Sequence, residues 1–395
     1  MEKFKEAKVM RDPIHNYIKV EIPLIWELIN TKEFQRLRRI HQLGGAYLVF
    51  HTSEHSRFGH SLGVYEIVRR MVSEVHDLNE ELSEKEKLIV MIAGLLHDLG
   101  HGPFSHAFET IYPINHEEMT VNIITGDSEI NQVLKDHDVD LPAEVASVIQ
   151  HKHENKLLTQ LISSQLDADR MDYLLRDSYF TGTKYGEFDL ERILRTIKVV
   201  DKQLVIKATG IQTVEDYIMA RYHMYWQVYY HASIRSFEAI LILLFRRLKD
   251  LKASERYPMF MGIFTDEKMT LDQHFKLDDC ACYYAFSLMC EDEDPILSDL
   301  ADRLINRKLF THLNISKEDK IEDYQGLIVD KDPRYYLYID SAYQIPYRPY
   351  LAESANLIKV LSKDGQISEL SEISNIVMAI VKGEIKEDYK IFYPL

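Results

Sequence analysis

The chain has 395 residues, with 47 lysines and arginines against 63 aspartates and glutamates, for a formal net charge of −16. That field opposes nonspecific binding to DNA, RNA or an anionic membrane, yet leaves room for a small phosphorylated ligand whose charge a metal and a few arginines can meet locally. No apolar run reaches the length of a membrane span and the start MEKFKEAKVM lacks the apolar core of a signal peptide, so a cytoplasmic location is expected.

The length is enough for a large core and two structural regions, which a change of texture divides at about residue 250. The expectation is a mainly α fold: a helical core over 1–250, then a helical and loop extension over 251–395 that ends in a small α+β region. In chain order, INTKEFQRLRRIHQLGG first reads as an amphipathic helix face rich in arginine. Glu66 and Arg70 stand at the spacing of a solvated ion pair on a helix. From Ser83 onward Leu88, Ile92, Leu95, Leu96 and Leu99 recur at helical spacing, Ser83 with Glu86 has the form of a capping box, and Gly100 is expected to end the helix. His151 and His153 read as exposed polar residues. VVDKQLVIK (199–207) predicts a short β-ribbon, and Tyr222, Tyr225, Trp226 and Tyr230 predict core or interface packing. Cys280, Cys282 and Cys290 have no fourth ligand at a usual zinc spacing and are read as free thiols. Past Tyr335, YYLYID predicts a strand, and IKVLSKDGQISEL predicts a hairpin turning at Asp364-Gly365.

Chemistry concentrates in three strings. LLHDLGHGPFSH puts His97 and Asp98 side by side at the end of an apolar helical run. An imidazole nitrogen and a carboxylate oxygen presented there can hold one divalent cation between them, and His60 in HSRFGHSLGV and Asp169 in SQLDADRMDYLLRD are further ligands of the same kinds. Such mixed ligation suits Mn, Fe, Mg, Ni or Zn and leaves positions for water and a phosphate oxygen. Arg57, three residues before His60, is aimed into the same cleft, and Asp169, Tyr173 and Asp177 share one helix face.

The order His, His-Asp, Asp in these strings resembles the HD-domain superfamily of metal phosphohydrolases. The likeness extends, nearly continuously from about Lys8 to Arg235, to the deoxynucleoside triphosphate (dNTP) triphosphohydrolases. Carrying no SAM domain, the chain looks like a bare bacterial-type catalytic unit. The resemblance implies metal ligation by His60, His97, Asp98 and Asp169. It implies a general acid at His116, oriented by Glu109, and a contact of His101 with the α-phosphate. Histidine suits both tasks because its pKa lies near the working pH. Phosphate contacts are implied for Arg57, Arg170 and Tyr173, and a substrate contact for His106, which reads equally as a helix-start residue. Asp177 and Gln42 are implied to bond the sugar 3′-hydroxyl, and Tyr229 to crowd the 2′ position. Relatives carry lysine where Arg170 stands, and a fork and a point charge are not interchangeable.

A second likeness lies in the arginine-rich segment. In related dNTPases the positions matching Asn30, Gln35 and Arg38 read a nucleotide base at a subunit interface, a lysine matching Lys8 binds its phosphates, and Arg307 is placed to reach the same site. Asn30 stands where some relatives have aspartate, and an amide offers guanine one acceptor and a donor instead of two acceptors. The resemblance therefore implies a dNTP substrate, a divalent metal, a homo-oligomer (dimer or tetramer) and an activating nucleotide such as GTP, dGTP or a dNTP. Two rivals stay open: another HD phosphohydrolase activity on 5′-mononucleotides, cyclic nucleotides or alarmones, and a nucleotide sensor that does not turn over.

Overall fold

The computed structural model describes residues 2–112, 115–252, 255–264, 269–344, 347, 357–383 and 386–395; the side chains of His106, Phe264 and Gln344 lie outside that description. The fold is mainly α, with small sheets at its margins, as the periodicity predicts. An antiparallel hairpin of β1 (Lys8–Asp12) and β2 (Asn16–Val20) leads into α1 (Pro23–Asn30) and α2 (Lys32–Arg36). Pro23 opens α1 where its missing N–H costs nothing, and Thr31 caps α2 by accepting from the Phe34 N–H.

The centre is α3 (Arg57–Glu74) packed between α4 (Glu84–Leu96) and α7 (Ala168–Thr181), with α5 (His106–Ile111) and α6 (His116–Thr125) in between along the chain. Helix α4 buries Leu88 through Ala93 without a polar break, the pattern of a helix surrounded by others. The Ser83–Glu86 capping box is present and closes its first turn. The ribbon forms as β3 (Ile197–Val200) and β4 (Gln203–Lys207). Helix α8 (Ile211–Met224) then widens into a π-helical turn over Tyr225–Tyr229 and meets α9 (Ala232–Asp250) at a 57° bend. After α10 (Asp279–Met289) and α11 (Pro295–Ile305) the chain makes β5 (Thr311–Ile315), β6 (Tyr338–Gln344), β7 (Lys359–Leu361), β8 (Ile367–Glu369) and β9 (Lys386–Tyr393). The predicted hairpin is the antiparallel pair β7–β8, and YYLYID enters β6.

The C-terminal strands join the helical core. Strand β7 pairs in parallel with β4, giving a sheet of order β3-β4-β7-β8, while β5, β9 and β6 form a second, antiparallel sheet. One apolar core runs from Ile18 to Phe392. Among the described residues no single helix is long and apolar enough to cross a membrane. The three cysteines are free.

Two expectations change. Glu66 is buried and bonds Arg69 and the Lys19 N–H, while Arg70 turns to Glu191; burial favours the partner that can follow the carboxylate inward. Gly100 lies past the end of α4 for a different reason than a helix stop. A Cβ there would lie 2.0 Å from the His116 carbonyl oxygen and 2.5 Å from the Thr120 nitrogen. The Gly100 N–H donates to Thr120 Oγ1 at 2.8 Å, and that hydroxyl donates to the His97 carbonyl at 3.0 Å, so α6 is clamped onto the end of α4. Gly100→Ala must push the two apart, and we expect a loss of about 1–3 kcal/mol in the denaturant midpoint analysis, the cost of overpacking a closed contact. An unchanged midpoint would show that the clamp yields freely.

Candidate metal centre and substrate cavity

The residues that place the ion site come from two helices and from the turn that follows a third. His60 lies in the first turn of α3, His97 and Asp98 directly follow α4, and Asp169 lies in the first turn of α7, whose N-cap Asp167 accepts from the Arg170 N–H. Their ligand atoms converge. His60 Nε2 is 3.0 Å from Asp169 Oδ1 and 3.8 Å from Asp98 Oδ2; His97 Nε2 is 3.3 Å from Asp98 Oδ1 and 3.6 Å from Asp169 Oδ1. Ligands about 2.1 Å from one ion at octahedral or tetrahedral angles stand roughly 3.0–3.4 Å apart, so these spacings fit a shared cation. His97 Nε2 is buried with no hydrogen-bond partner among the described residues, and its Nδ1 is engaged by the Gly94 carbonyl at 2.9 Å. A buried, unsatisfied imidazole nitrogen facing two carboxylates is a donor set made for a metal.

The electrostatics agree. Burial works against the His60 imidazolium, but its hydrogen bonds to the Asp169 and Asp172 carboxylates overcome this and raise its pKa to about 10. Burial would raise Asp98 and Asp169, yet the neighbouring histidines, with Arg57 for Asp98, hold both carboxyls below the usual range. The pocket thus favours a positive charge at its centre, and a metal meets that demand without a proton. His101 differs: burial, then the Arg57 guanidinium, pushes it well below its ordinary value, so it stands neutral with Nε2 at 3.4 Å from Asp98 Oδ1.

Around the centre, Arg57 Nη1 pairs with Asp98 and its Nε donates to Ser105 Oγ at 3.0 Å. Phe104 and Ser105 both have positive φ, 57° and 53°, a strained pair held by the Asp279 carboxylate on the Phe104 N–H and by Ser105 donating to the His41 carbonyl. His116 Nδ1 bonds Glu109, and its ring stacks on His101 with centroids 4.0 Å apart. Asp177 is buried and accepts from Tyr229 at 2.7 Å and His55 at 2.8 Å; burial and Asp177 push the Tyr229 phenol up, so it remains the donor.

One cavity of about 530 Å³, a size suited to a nucleotide, opens onto most of these residues, though His97, Glu109 and His55 are not on its wall. Its walls include Gln42, Arg57, His60, Asp98, His101, His116, Asp169, Tyr173, Asp177 and Tyr229 from the sequence-derived site. Arg170 is not among them: its guanidinium turns to Asp167, the acid that caps its own helix. His106 starts α5, and its side chain lies outside the description. Asn30, Gln35 and Arg38 lie together on the surface of the α1–α2 segment; Gln35 bonds the Ile29 carbonyl and Arg38, and Arg38 covers the Phe58 ring at 3.6 Å. Lys8 is exposed on β1 and Arg307 donates to the Leu48 carbonyl; none of these five lines the cavity.

Comparison with known proteins bears on this geometry. The model of the HD domain matches residues 57–177, the span from Arg57 to Asp177, and that of the HD associated region matches residues 188–388. The protein YwfO of Bacillus subtilis is 48% identical over 99% of this chain and 93% of its own length. The chain belongs to the HD-domain family. A phosphohydrolase from Bacteroides thetaiotaomicron, with a crystal structure, superposes with TM-score 0.87 at 28% identity, covering 99% of this chain and 100% of that one. The HD region is also similar to the deoxynucleoside triphosphate triphosphohydrolase SAMHD1 homolog of Dictyostelium discoideum, 34% identical over 60% of this chain; the match spans 48% of that relative's length.

The HD motif does not name the residues that brace it. Asp172, fully buried, accepts from His60 Nδ1 at 2.8 Å, from His15 Nε2 at 2.6 Å and from Arg176 twice, which aims His60 Nε2 at the centre. Arg176 bonds Asp172 and Asp12 and not its neighbour Asp177. Asp172 lies within the quoted DADRMDYLLRD, three residues after Asp169 and so on an adjoining helix face, but nothing in the pattern pairs it with His60 or His15. A Cβ on Gly63 would lie 1.8 Å from Asp172 Oδ1, so this glycine is what lets α7 approach α3. Asp172→Asn keeps the shape and removes the charge; we expect divalent-metal affinity to fall roughly 10- to 100-fold, read by metal titration of the purified protein. Wild-type affinity in that variant would exclude Asp172 from the centre.

Proposed function

We propose that the protein hydrolyses a dNTP to a deoxynucleoside and tripolyphosphate. The observation that carries this reading is a cavity whose wall brings a divalent-ion donor set together with Asp177 and Tyr229, Asp177 being bonded from behind by His55. The HD-domain membership supplies phosphohydrolysis as the coarser activity, and the relatives named dNTP triphosphohydrolases supply the class of substrate.

His60, His97 and Asp169, which form one group, would hold the ion together with the adjoining Asp98, whether it is Mn, Fe, Mg, Ni or Zn, and an ion there would supply a Lewis acid for the α-phosphate and a nucleophilic water at neutral pH. Arg57 offers the phosphates a guanidinium fork, and Tyr173 a phenol from the same wall. Neutral His101 adds an imidazole against the α-phosphate without repelling the ion. His116 holds a proton toward the 5′-oxygen, and Glu109, bonded to its Nδ1, leaves Nε2 facing the substrate. Asp177 accepts the 3′-hydroxyl. Gln42 Oε1, buried with no partner among the described residues, accepts beside it, and the Tyr229 ring, fixed by its bond to Asp177, crowds a 2′-hydroxyl. A substrate contact of His106 belongs to the same reading, whereas that of Arg170 does not, since its guanidinium turns to Asp167 and off the cavity wall. Lys8, Asn30, Gln35, Arg38 and Arg307 form an activating-nucleotide site for GTP, dGTP or a dNTP in a cytoplasmic homo-oligomer.

The test is a panel of the four dNTPs with each metal, with and without a second nucleotide, products separated by anion exchange. Tripolyphosphate in step with deoxynucleoside is the expected result. Orthophosphate from monophosphates points to another HD activity, and no turnover points to a sensor. In His116→Ala we expect kcat to drop by about 10²–10⁴ with metal content unchanged; full activity there would remove His116 from the mechanism.

A further inference from the structure

The cavity has more wall than the phosphate and sugar contacts use. Besides the residues given to phosphate and sugar, it is lined by a wall of Ile234, Arg235 and Glu238 of α9 and Asp340, Ser341 and Ala342 of β6. A nucleotide whose phosphates face the metal centre and whose sugar faces Asp177 has only its base left to occupy that space.

Charge on this wall is uneven. Arg235, with a side chain 2% exposed, directs all its groups at the sheet: Nε to Asp340 Oδ2 at 2.6 Å, Nη1 to Asp388, and Nη2 to the carbonyls of Asp340 at 3.1 Å and Asp388 at 3.3 Å. Lys390 joins Asp388 at 3.0 Å. Two cations thereby serve Asp340 and Asp388, and the half-buried Glu238 has no hydrogen bond or ion pair among the described residues. Its carboxylate keeps contact with the water of the cavity, so a ligand that displaces that water has to supply donors in its place. Ile234 and Ala342 flank it with apolar surface for the faces of a ring.

We propose that Glu238 reads the edge of the substrate base and favours guanine. The proposal rests on the deoxynucleotide reading above. Guanine presents N1–H and N2–H side by side, matching the two oxygens of one carboxylate, whereas thymine flanks its single N–H with two carbonyls that the carboxylate repels. Adenine and cytosine each present one amino group and rank between them.

The experiment is an internal competition: one equimolar mixture of the four dNTPs with Mn²⁺, and the deoxynucleosides released early in the reaction quantified by chromatography. All four substrates compete for the same enzyme, so the product ratio reports relative kcat/KM and any activation at another nucleotide site cancels. It is run at about pH 8.5, because burial and then Asp340 raise the Glu238 carboxyl to about 7 against the pull of Arg235, with the Tyr338 phenol the other titratable group facing it. The expected result is deoxyguanosine over thymidine by about tenfold or more in the wild type, collapsing toward unity in Glu238→Gln, whose amide offers one acceptor and one donor. A wild type without guanine preference overturns the proposal. So does a Glu238→Gln variant that loses all four products in proportion, the mark of a structural role. If the wild type releases no tripolyphosphate, the hydrolysis reading fails by itself. Equilibrium binding of the four intact dNTPs to wild type and Glu238→Gln then decides the base preference, and no binding overturns both.

Discussion

Three donors from three separate parts of the chain meet on the carboxylate of Asp172. His15 comes from the turn of the first hairpin, His60 from α3 and Arg176 from α7 itself, while Arg176 reaches on to Asp12 at the end of β1. A buried carboxylate tolerates this position only because every lone pair finds a donor; removing one partner leaves charge with nothing to offset it. That demand fixes the spacing of α3 and α7 more tightly than apolar packing could, since apolar contacts change gradually with distance and a network of this kind does not. The ring of His60 is consequently oriented and its tautomer set, with Nδ1 toward Asp172 and Nε2 toward the ion site. The absence of a side chain at Gly63 belongs to the same constraint.

Much of this was legible in the sequence, where the signal is local. The helical run before His97, the capping box at Ser83 and the turn at Asp364-Gly365 each depend on residues within a few positions, and each forms as read. The convergence of His60, His97, Asp98 and Asp169 was legible through the order of their motifs, although no periodicity could have brought them together. The bracing residues were not legible for a physical reason. Arg176 and Asp177 are neighbours in the chain, but successive residues on a helix point about 100° apart, so one turns to α3 and the other to the cavity. His15 lies far from Asp172 in sequence, and a single histidine in a turn carries no pattern. Gly100 had a plausible local role at a helix end, while its actual constraint is the approach of α6 from outside the local window.

The division of labour between the two matched regions follows from the same contacts. The HD domain supplies the converging His60, His97, Asp98 and Asp169 and also Asp177, while Tyr229, which bonds Asp177, comes from the HD associated region; the loop of the HD domain at Phe104 and Ser105 is in turn held in an unfavourable conformation by Asp279, also of the HD associated region. That acid also takes the backbone and ring of His41, next to Gln42 on the cavity wall. Arg235, from the long helix α9, then ties that helix to β6 and β9, and β6 becomes part of the cavity wall. The C-terminal strands therefore shape the space that a substrate fills as directly as the motif residues do, and an isolated HD domain would leave the cavity open on that side.

Charge explains how so acidic a chain can accept a polyanion. The cavity wall carries Asp98, Asp169, Asp177, Glu238 and Asp340 against only Arg57 and Arg235, and Arg235 is fully engaged by the sheet. In a site of low effective dielectric, uncompensated carboxylates would repel a triphosphate by several kcal/mol, about 4 for each pair of unit charges 4 Å apart. Asp98 and Asp169 would both be neutralised by a divalent ion held there, and Arg57, now paired with Asp98, would then be free to face phosphates because Asp98 would have a second cation to share. The acidic surface and the proposed phosphate site are compatible on these terms: the global field turns away long polyanions, and a small phosphorylated substrate would meet a local field that an ion and one arginine would reverse.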